Sequence, residues 1–224
     1  MTTPARRVAA AIDHAILRPE LTPLDVEQSC AVAAEFEVAT VCCRPMDVVR
    51  CGRALAGTRV GVITVIGFPH GAHTSAIKAA EAVRALTDGA VELDMVAPIG
   101  LVRAGDHAAV EADVAAVVAV AEGRPVKVIL ETGYLTDIEI VAACKAAEAA
   151  GAAFVKTSTG YGPRNATIAD VTLMRASVSA HMGVKAAGGI RNLADALALL
   201  DAGATRLGTS STATILGGGE ATTY

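Results

Sequence analysis

The sequence predicts an α/β fold, a single (β/α)8 or TIM barrel, and three observations support this prediction. The 224 residues suit one large domain, because α/β barrels commonly run to about 200 to 250 residues. Hydrophobic residues make up 53% of the chain and aromatic residues 3%, with no Trp, so Ala, Val, Ile and Leu must build the core. Short β-branched runs alternate with longer Ala-rich stretches, which is the pattern of parallel strands buried beneath helices.

Eight β-branched runs are the predicted strands, and the first of them has the weakest pattern. They cover residues 12–17, 39–43, 60–67, 90–96, 126–131, 153–157, 184–187 and 206–209. A stretch of helical character separates each strand from the next, as in right-handed βαβ units, and eight such units close a barrel. A doubly wound open sheet is the competing architecture, but its fingerprint G-x-G-x-x-G does not follow the first strand.

Three of the helices have clear signals at their ends or along their faces. Residues 75–87 carry charges at helical spacing, residues 136–150 end before Gly151, and residues 192–200 begin with the capping residue Asn192. These segments are therefore expected to be helices that follow the third, fifth and seventh strands.

The chain shows no sign of a second domain. No Pro-, Gly- or Ser-rich linker interrupts the strand and helix series, so residues 1–224 are expected to form one barrel, with residues 216–224 as a flexible glycine-rich tail. Because this tail ends in a phenol, Tyr224 is a candidate for folding over the barrel mouth and assisting proton transfer. A disordered tail without a role is the alternative.

Charge and cysteine content argue against several classes of protein. The net charge is -4 and the longest basic cluster is Arg6-Arg7, so nucleic-acid binding is not expected. The apolar stretch 8–12 stops at Asp13, and no run of eighteen apolar residues exists, so we expect no signal peptide, no membrane partner and a cytoplasmic location. Five cysteines without C-x-x-C spacing indicate reduced thiols rather than disulfides or a zinc ribbon.

Two lysines occupy strand positions that an apolar core would not tolerate. Lys156 and Lys185 lie near the carboxyl ends of the sixth and seventh strands, where barrel enzymes place their active sites. Neighbouring strands are about 4.8 Å apart, so both amines are expected to share the barrel mouth. Like charge and burial both lower an amine pKa, and a neutral lysine forms a Schiff base with a carbonyl, which is aldolase chemistry. A lysine that merely pairs with a carboxylate at the rim is the structural alternative.

The fourth strand supplies a candidate for proton transfer. Glu92 and Asp94 share one face, because strand side chains repeat every second residue, and Asp94 is nearer the carboxyl end. It could move protons during formation and dehydration of a carbinolamine. The alternative, that either carboxylate simply neutralises a lysine, is equally compatible with the pattern.

Glycines and hydroxyls after the last strands form a candidate phosphate site. Gly188-Gly189 follows the seventh strand and Ser210-Ser211 the eighth, the region where barrels commonly hold phosphate, and Gly160 after the sixth strand extends the set. A phosphorylated small molecule is therefore the expected substrate class.

The other polar residues in strands and loops are not predicted to belong to the active site. Lys127 follows Pro125 closely and is assigned to the structural, amino-terminal end of the fifth strand. His70 and His73 are interpreted as part of a loop that enters a helix. No three-ligand set is evident, so a zinc-dependent enzyme is not expected.

Several motifs together resemble the deoxyribose-phosphate aldolase family. They cover nearly the whole chain and include IDHAILRP at residues 12–19, VITVIGFPHG at 62–71, GAVELDMV at 89–96, FVKTSTGYG at 154–162 and GVKAAGGIR at 183–191. The pair FVKTSTG and GVKAAGG is highly specific, whereas RLGTSS at 206–211 is weak alone.

The resemblance implies reversible cleavage of 2-deoxy-D-ribose 5-phosphate to D-glyceraldehyde 3-phosphate and acetaldehyde, without a cofactor. It implies that Lys156 forms the Schiff base, that Lys185 lowers the pKa of Lys156, and that Asp94 relays protons. The spacing alone does not choose between the two lysines. The resemblance further assigns the following residues to the substrate site: Asp13, Cys42, Thr157, Gly160, Gly188, Gly189, Ser210 and Ser211.

Two departures and two other functions remain open. Ala97-Pro98 stands where the family often has an Ile-Asn pair, and Arg164-Asn165 stands where a glycine pair is common, so loop shape and substrate tolerance are expected to differ.

A phosphosugar isomerase or transaldolase-like enzyme is the second hypothesis, and a non-catalytic sugar-phosphate sensor is the third. The resemblance also implies a homodimer or homotetramer.

Overall fold

The computed structural model describes residues 1–219 and residue 221, and it shows a closed barrel of eight parallel strands. Each strand is hydrogen-bonded to the next, and the last is bonded to the first, so the (β/α)8 prediction is confirmed and the open sheet is excluded. The strands are β1 (Ile12–Ile16), β2 (Thr40–Cys43), β3 (Gly61–Ile66), β4 (Glu92–Val96), β5 (Val126–Ile129), β6 (Phe154–Lys156), β7 (Gly183–Ala187) and β8 (Arg206–Thr209).

Ten helices surround or adjoin the barrel in the described part of the chain. They are α1 (Thr3–Ala9), α2 (Pro23–Glu35), α3 (Val48–Ala54), α4 (Ser75–Thr87), α5 (Ile99–Arg103), α6 (His107–Val120), α7 (Asp137–Ala149), α8 (Ile168–Ser177), α9 (Leu193–Asp201) and α10 (Thr212–Leu216). Single 3-10 turns occupy Pro45–Asp47 and Thr132–Tyr134. The three helices predicted from their signals are confirmed as α4, α7 and α9.

Local capping explains where these helices begin. Thr22 and Thr136 each accept a hydrogen bond from the backbone three residues later, and an acidic side chain at that position bonds back to the threonine N–H. Asn192 accepts a hydrogen bond from the backbone N–H of Asp195 at the start of α9. Each cap satisfies backbone donors that the first helical turn leaves unpaired.

The apolar core lies between the strands and the helices, and it is built from small aliphatic side chains as expected. In β4, Leu93 and Met95 belong to this core, whereas Asp94 belongs to the charged group described below. In β4, the alternation of side chains thus places apolar residues in the outer layer and Asp94 in the barrel interior.

A buried ion pair outside the barrel fixes the end of β4. Lys78 of α4 is fully buried; its Nζ donates to Asp113 Oδ2 at 2.7 Å and to the backbone oxygen of Val96 at 2.9 Å. The residue that ends β4 is therefore tied to helices α4 and α6, which restricts movement of the strand that carries Asp94.

The end of the chain is described only in part. Leu216 is the last residue of α10 and is 8% exposed, and the N–H of Ala221 donates to the backbone oxygen of Arg191 at 2.9 Å. Tyr224 lies outside the described residues, and the flexible tail stays a prediction. Within the described residues, no helix combines the length and the apolar character that crossing a membrane requires.

We expect one buried histidine to make the fold sensitive to mild acid. His14 is 4% exposed and shares a hydrogen bond with Thr212 Oγ1 at 2.8 Å, and burial lowers its pKa from 6.5 to about 4. The unfolded chain therefore binds a proton between these pH values that the folded chain does not, so stability falls as the pH is lowered through this window. The full shift corresponds to about 3 to 4 kcal/mol at about 1.4 kcal/mol per pKa unit.

The measurement is urea unfolding of the wild type and of His14→Asn near pH 7 and near pH 4. We expect the wild type to lose about 3 kcal/mol more than the variant between these conditions, because asparagine does not titrate. Equal losses in the two proteins would show that other groups cause the acid sensitivity.

Candidate active site

The barrel interior holds seven charged side chains instead of a packed apolar centre. They are linked by hydrogen bonds and ion pairs into one cluster: Lys127, Lys156, Lys185, Arg206, Asp13, Glu92 and Asp94. With every group ionised, the four cations outnumber the three carboxylates by one charge. We call this set the interior cluster.

Asp94 is the common acceptor of the interior cluster. Its Oδ2 accepts hydrogen bonds from Lys156 Nζ and from Lys185 Nζ, each at 2.7 Å, and its Oδ1 accepts one from Lys127 Nζ at 3.1 Å. The two lysine nitrogens are therefore no farther apart than twice 2.7 Å. The structure brings together the two lysines and the aspartate that the sequence singled out.

The strand register explains this convergence. Lys156 and Lys185 are direct neighbours in the pairing of β6 with β7, and Asp94 is paired with Lys127 across β4 and β5. Lys156 is the last residue of β6 and is 2% exposed, whereas Lys185 is fully buried. Lys156 therefore lies closer to the carboxyl-terminal mouth through which a substrate would enter.

The surroundings keep Asp94 and Lys185 charged. Burial by itself raises the pKa of Asp94, but the ammonium groups of Lys127, Lys156 and Lys185 hold that pKa well below its ordinary value. Burial by itself lowers the pKa of Lys185, yet the carboxylates of Asp13 and Asp94 raise it above the ordinary value. Of the two alternatives that spacing left open, a neutral Lys185 is thereby disfavoured.

Asp13 and Cys42, from the neighbouring strands β1 and β2, both approach this centre. Asp13 forms an ion pair with Lys185, accepts hydrogen bonds from Thr40 Oγ1 at 2.7 Å and from Arg206 Nε at 2.8 Å, and has a pKa of about 2 because Lys185, Lys127 and Arg206 outweigh the effect of burial. Cys42 Sγ is 4.0 Å from Asp94 Oδ2. Burial, with the charge of Asp94, raises the thiol pKa to about 11, so Cys42 is protonated near neutral pH.

The candidate phosphate residues lie at neighbouring strand ends but line separate cavities. Gly188 and Gly189, both with positive φ, line a cavity of about 260 Å³ together with Arg191. Ser210 and Ser211 line another of about 330 Å³. The sequence grouped these four residues, and each of these two cavities contains one pair of them.

The other two residues assigned to the substrate site have backbone roles. Thr157 is fully buried, and its Oγ1 accepts a hydrogen bond from the N–H of Ala187 at 3.0 Å and donates to the carbonyl of the same residue at 3.3 Å. Gly160 has φ of 88°, a conformation that favours glycine. The threonine joins the ends of β6 and β7, and the glycine permits the turn that follows.

Three members of the interior cluster make contacts that were not predicted from the sequence. Lys127 was assigned a structural place, and it does lie early in β5, but its ammonium group also holds Asp94 and Glu92. Arg206 begins β8 and donates to both Asp13 and Glu92. The two-residue repeat of strand side chains placed Glu92 on the same face as Asp94. Its partners come from other strands, and the register of those strands is not visible in the sequence.

Glu131 was missed altogether, although it lies beside Lys156. It follows β5 with φ of 57°, is 1% exposed, and its Oε2 accepts hydrogen bonds from the backbone and hydroxyl of Thr159. Burial raises its pKa, and Thr159 and Lys156 oppose that increase. An acidic residue directly after a buried strand was the signal that could have identified it.

The departures from the family pattern take part in loop contacts. Arg164 Nη2 donates to the backbone oxygen of Thr132 at 3.0 Å, and its guanidinium pairs with Asp170. Asn165 packs so closely on Gly188 that a Cβ there would be 2.5 Å from its Oδ1. Ala97-Pro98 leads into α5. Among residues 1–219 and 221, no group of three or more His, Cys, Asp or Glu residues is arranged for a metal ion.

A closed (β/α)8 barrel with two lysines, paired on adjacent strands, on one carboxylate defines a barrel enzyme of the aldolase class. The comparison with known families agrees with this class. The chain belongs to the DeoC/LacD family of aldolases, whose model matches residues 7–215.

Individual relatives support the same assignment. A deoxyribose-phosphate aldolase of Streptococcus pneumoniae strain P1031 is 50% identical over 207 residues, which cover 92% of this chain and 94% of that protein. The tetrameric deoxyribose phosphate aldolase of Aeropyrum pernix is 33% identical, with a TM-score of 0.89 over 95% of this chain and 91% of that one. A Coccidioides immitis protein, provisionally described as a deoxyribose-phosphate aldolase, is 41% identical, with a TM-score of 0.93 over 95% of this chain and 85% of that one.

Proposed function

We propose that the protein is a deoxyribose-phosphate aldolase that cleaves 2-deoxy-D-ribose 5-phosphate reversibly to D-glyceraldehyde 3-phosphate and acetaldehyde. The observation that carries this proposal is the contact of Lys156 and Lys185, which are paired on adjacent strands, with one oxygen of Asp94. This arrangement supplies a nucleophilic amine, a fixed positive charge and a proton acceptor in one place. The names of the relatives agree with it.

Lys156 acts as the nucleophile. Its neutral amine adds to C1 of the aldehyde, the hydroxyl of the carbinolamine takes up a proton, and loss of water then gives a protonated imine. Removal of the proton from the C3 hydroxyl then breaks the C2–C3 bond, glyceraldehyde 3-phosphate leaves, and the electron pair of that bond forms an enamine with the imine carbon. Protonation at C2 and hydrolysis of the imine release acetaldehyde and restore the amine.

Asp94 and Lys185 assist these steps. Asp94 exchanges protons with the carbinolamine through the oxygen that contacts Lys156. Lys185 stays charged between Asp13 and Asp94, and it places a fixed positive charge beside Lys156. Cys42 Sγ lies 4.0 Å from the same Asp94 oxygen, so Cys42 would border the space for the substrate carbon chain.

The phosphate group would be bound at the ends of β7 and β8. Gly188 and Gly189 let the backbone approach a phosphate without side chains in the way, and Arg191 adds a positive charge to the same cavity. Ser210 and Ser211 offer hydroxyl donors after the next strand. We further propose cytoplasmic action without a cofactor and a homodimer or homotetramer, the latter in line with the Aeropyrum pernix relative.

Borohydride trapping tests the function and the nucleophile together. We expect incubation with 2-deoxyribose 5-phosphate and borohydride to leave a stable secondary amine on Lys156, because borohydride reduces only an imine that has formed. Peptide mapping by mass spectrometry identifies the modified lysine, and omission of the sugar phosphate is the control.

The other outcomes separate the competing functions. An adduct on Lys185 would keep the chemistry and exchange the roles of the two lysines. Ligand binding without any adduct would contradict the aldolase proposal and favour the isomerase or the sensor.

A further inference from the structure

Tyr161 reaches across the barrel mouth from the loop after β6. Its hydroxyl donates to the backbone oxygen of Leu17, which follows β1, at 3.0 Å. Its ring meets the ring of Phe68, which follows β3, edge to face with a centroid distance of 5.4 Å and an interplanar angle of 88°. Because β1 and β3 are each three strands away from β6, in opposite directions around the barrel, these contacts cross the mouth.

We call the contact of Tyr161 with Phe68 the aromatic bridge. The residues that Tyr161 contacts adjoin an apolar wall beside the interior cluster. Leu17 and Phe68 pack against a second apolar cluster formed by Cys42, Ile63 and Val65 of β2 and β3. This cluster is separate from the main core. Cys42 Sγ is 4.0 Å from the Asp94 oxygen that contacts Lys156, so the wall reaches the proposed reaction centre.

The loop that carries Tyr161 is held at its base. The N–H of Tyr161 donates to Thr159 Oγ1 at 3.0 Å, and that hydroxyl donates in turn to the buried carboxylate of Glu131. The nucleophile candidate Lys156 precedes this segment directly and is only 2% exposed although it ends its strand. The ring is therefore positioned over the mouth by the backbone that follows Lys156.

We propose that Tyr161 is a specificity-determining residue that, with Phe68, limits the size of the carbon chain attached to Lys156. The proposal rests on the proposed aldolase function and adds the residues that select the donor aldehyde. A two-carbon donor fits beneath the aromatic bridge and against the apolar wall. A donor with one more carbon has to displace the bridge, and in closed apolar pockets one methylene changes kcat/KM by roughly 10- to 200-fold.

The test compares acetaldehyde with propanal as donors, with D-glyceraldehyde 3-phosphate as the common acceptor. The measured quantity is the ratio of kcat/KM for propanal to that for acetaldehyde. For Tyr161→Ala and Phe68→Ala we expect this ratio to rise by about tenfold or more over that of the wild type, since each removes one half of the bridge. Tyr161→Phe keeps the ring and should stay within about twofold of the wild-type ratio.

Tyr134→Ala is the matched control, because Tyr134 is 51% exposed in the turn after β5, and Tyr161 is 45% exposed. A Tyr161→Ala ratio within about twofold of the wild type, or an equal rise in the control, would overturn the proposal. Failure of the aldolase function itself is recognised separately, because the wild type would then make no product from acetaldehyde. Thermal melting of each variant verifies that the fold is kept, and the large exposed fraction of Tyr161 favours this.

Discussion

Replacing Lys156 with methionine is expected to lower kcat for cleavage of 2-deoxyribose 5-phosphate by at least about 10⁴-fold, as removal of a covalent nucleophile does in other enzymes. Methionine has a similar length but no nitrogen, so neither the imine nor the enamine can form. The measurement is the initial rate of acetaldehyde release at saturating substrate. Borohydride treatment should give no adduct on the variant.

The fold should survive this substitution. Asp94 keeps Lys127 and Lys185 as donors, and the interior cluster changes from four cations and three carboxylates to three of each. Lys145→Met on the exposed side of α7 is the matched control, and we expect it to keep wild-type activity. Activity of Lys156→Met within about tenfold of the wild type would exclude Lys156 as the nucleophile.

The architecture could be predicted because it depends on short-range patterns. The run that became β3 is β-branched and buried, and Asn192 forms the cap expected of it at the start of α9. The convergence of Lys156, Lys185 and Asp94 could also be anticipated, because the carboxyl ends of parallel strands share one mouth. In these cases, position along a strand is enough to determine location in space.

The remainder depends on contacts between segments far apart in the chain. Arg206 binds Asp13 only because β8 closes on β1, and the register of that closure has no local signal. Tyr161 contacts Leu17 through a backbone oxygen, which any residue at that position would supply. The conformation of Glu131, with φ of 57°, is one that a non-glycine residue adopts only when its surroundings impose it.

The charges inside the barrel also oppose the rule that cores are apolar. Transfer of an unpaired charge from water into a protein interior costs several kcal/mol, so each member of the interior cluster needs its partners. Asp94 satisfies three lysines and Asp13 satisfies Lys185 and Arg206. The cluster is thus both a candidate catalytic device and a condition for folding.

Asp94→Asn should therefore reduce stability as well as turnover. The substitution leaves four cations with two carboxylates. It also replaces one of the two acceptor oxygens by an NH2 group, which is a donor and faces ammonium groups that are donors too. We expect the free energy of unfolding to fall by about 3 to 5 kcal/mol, the usual cost of removing one partner from a buried ion pair. Urea unfolding near neutral pH measures this loss, and Asp201→Asn, at an exposed ion pair with Arg7, should cost no more than about 1 kcal/mol.

The pH dependence of this stability difference shows whether the variant is destabilised by loss of the charge or by disturbed packing. The neighbouring lysines hold the pKa of Asp94 well below its ordinary value of 3.8, so its carboxylate stabilises the fold fully above that value and loses this contribution as the pH falls through the folded-state pKa. The stability difference between wild type and Asp94→Asn should thus be constant at neutral pH and shrink in strong acid. A difference that persists unchanged in acid would show that asparagine disturbs packing, and it would contradict the charged role of Asp94.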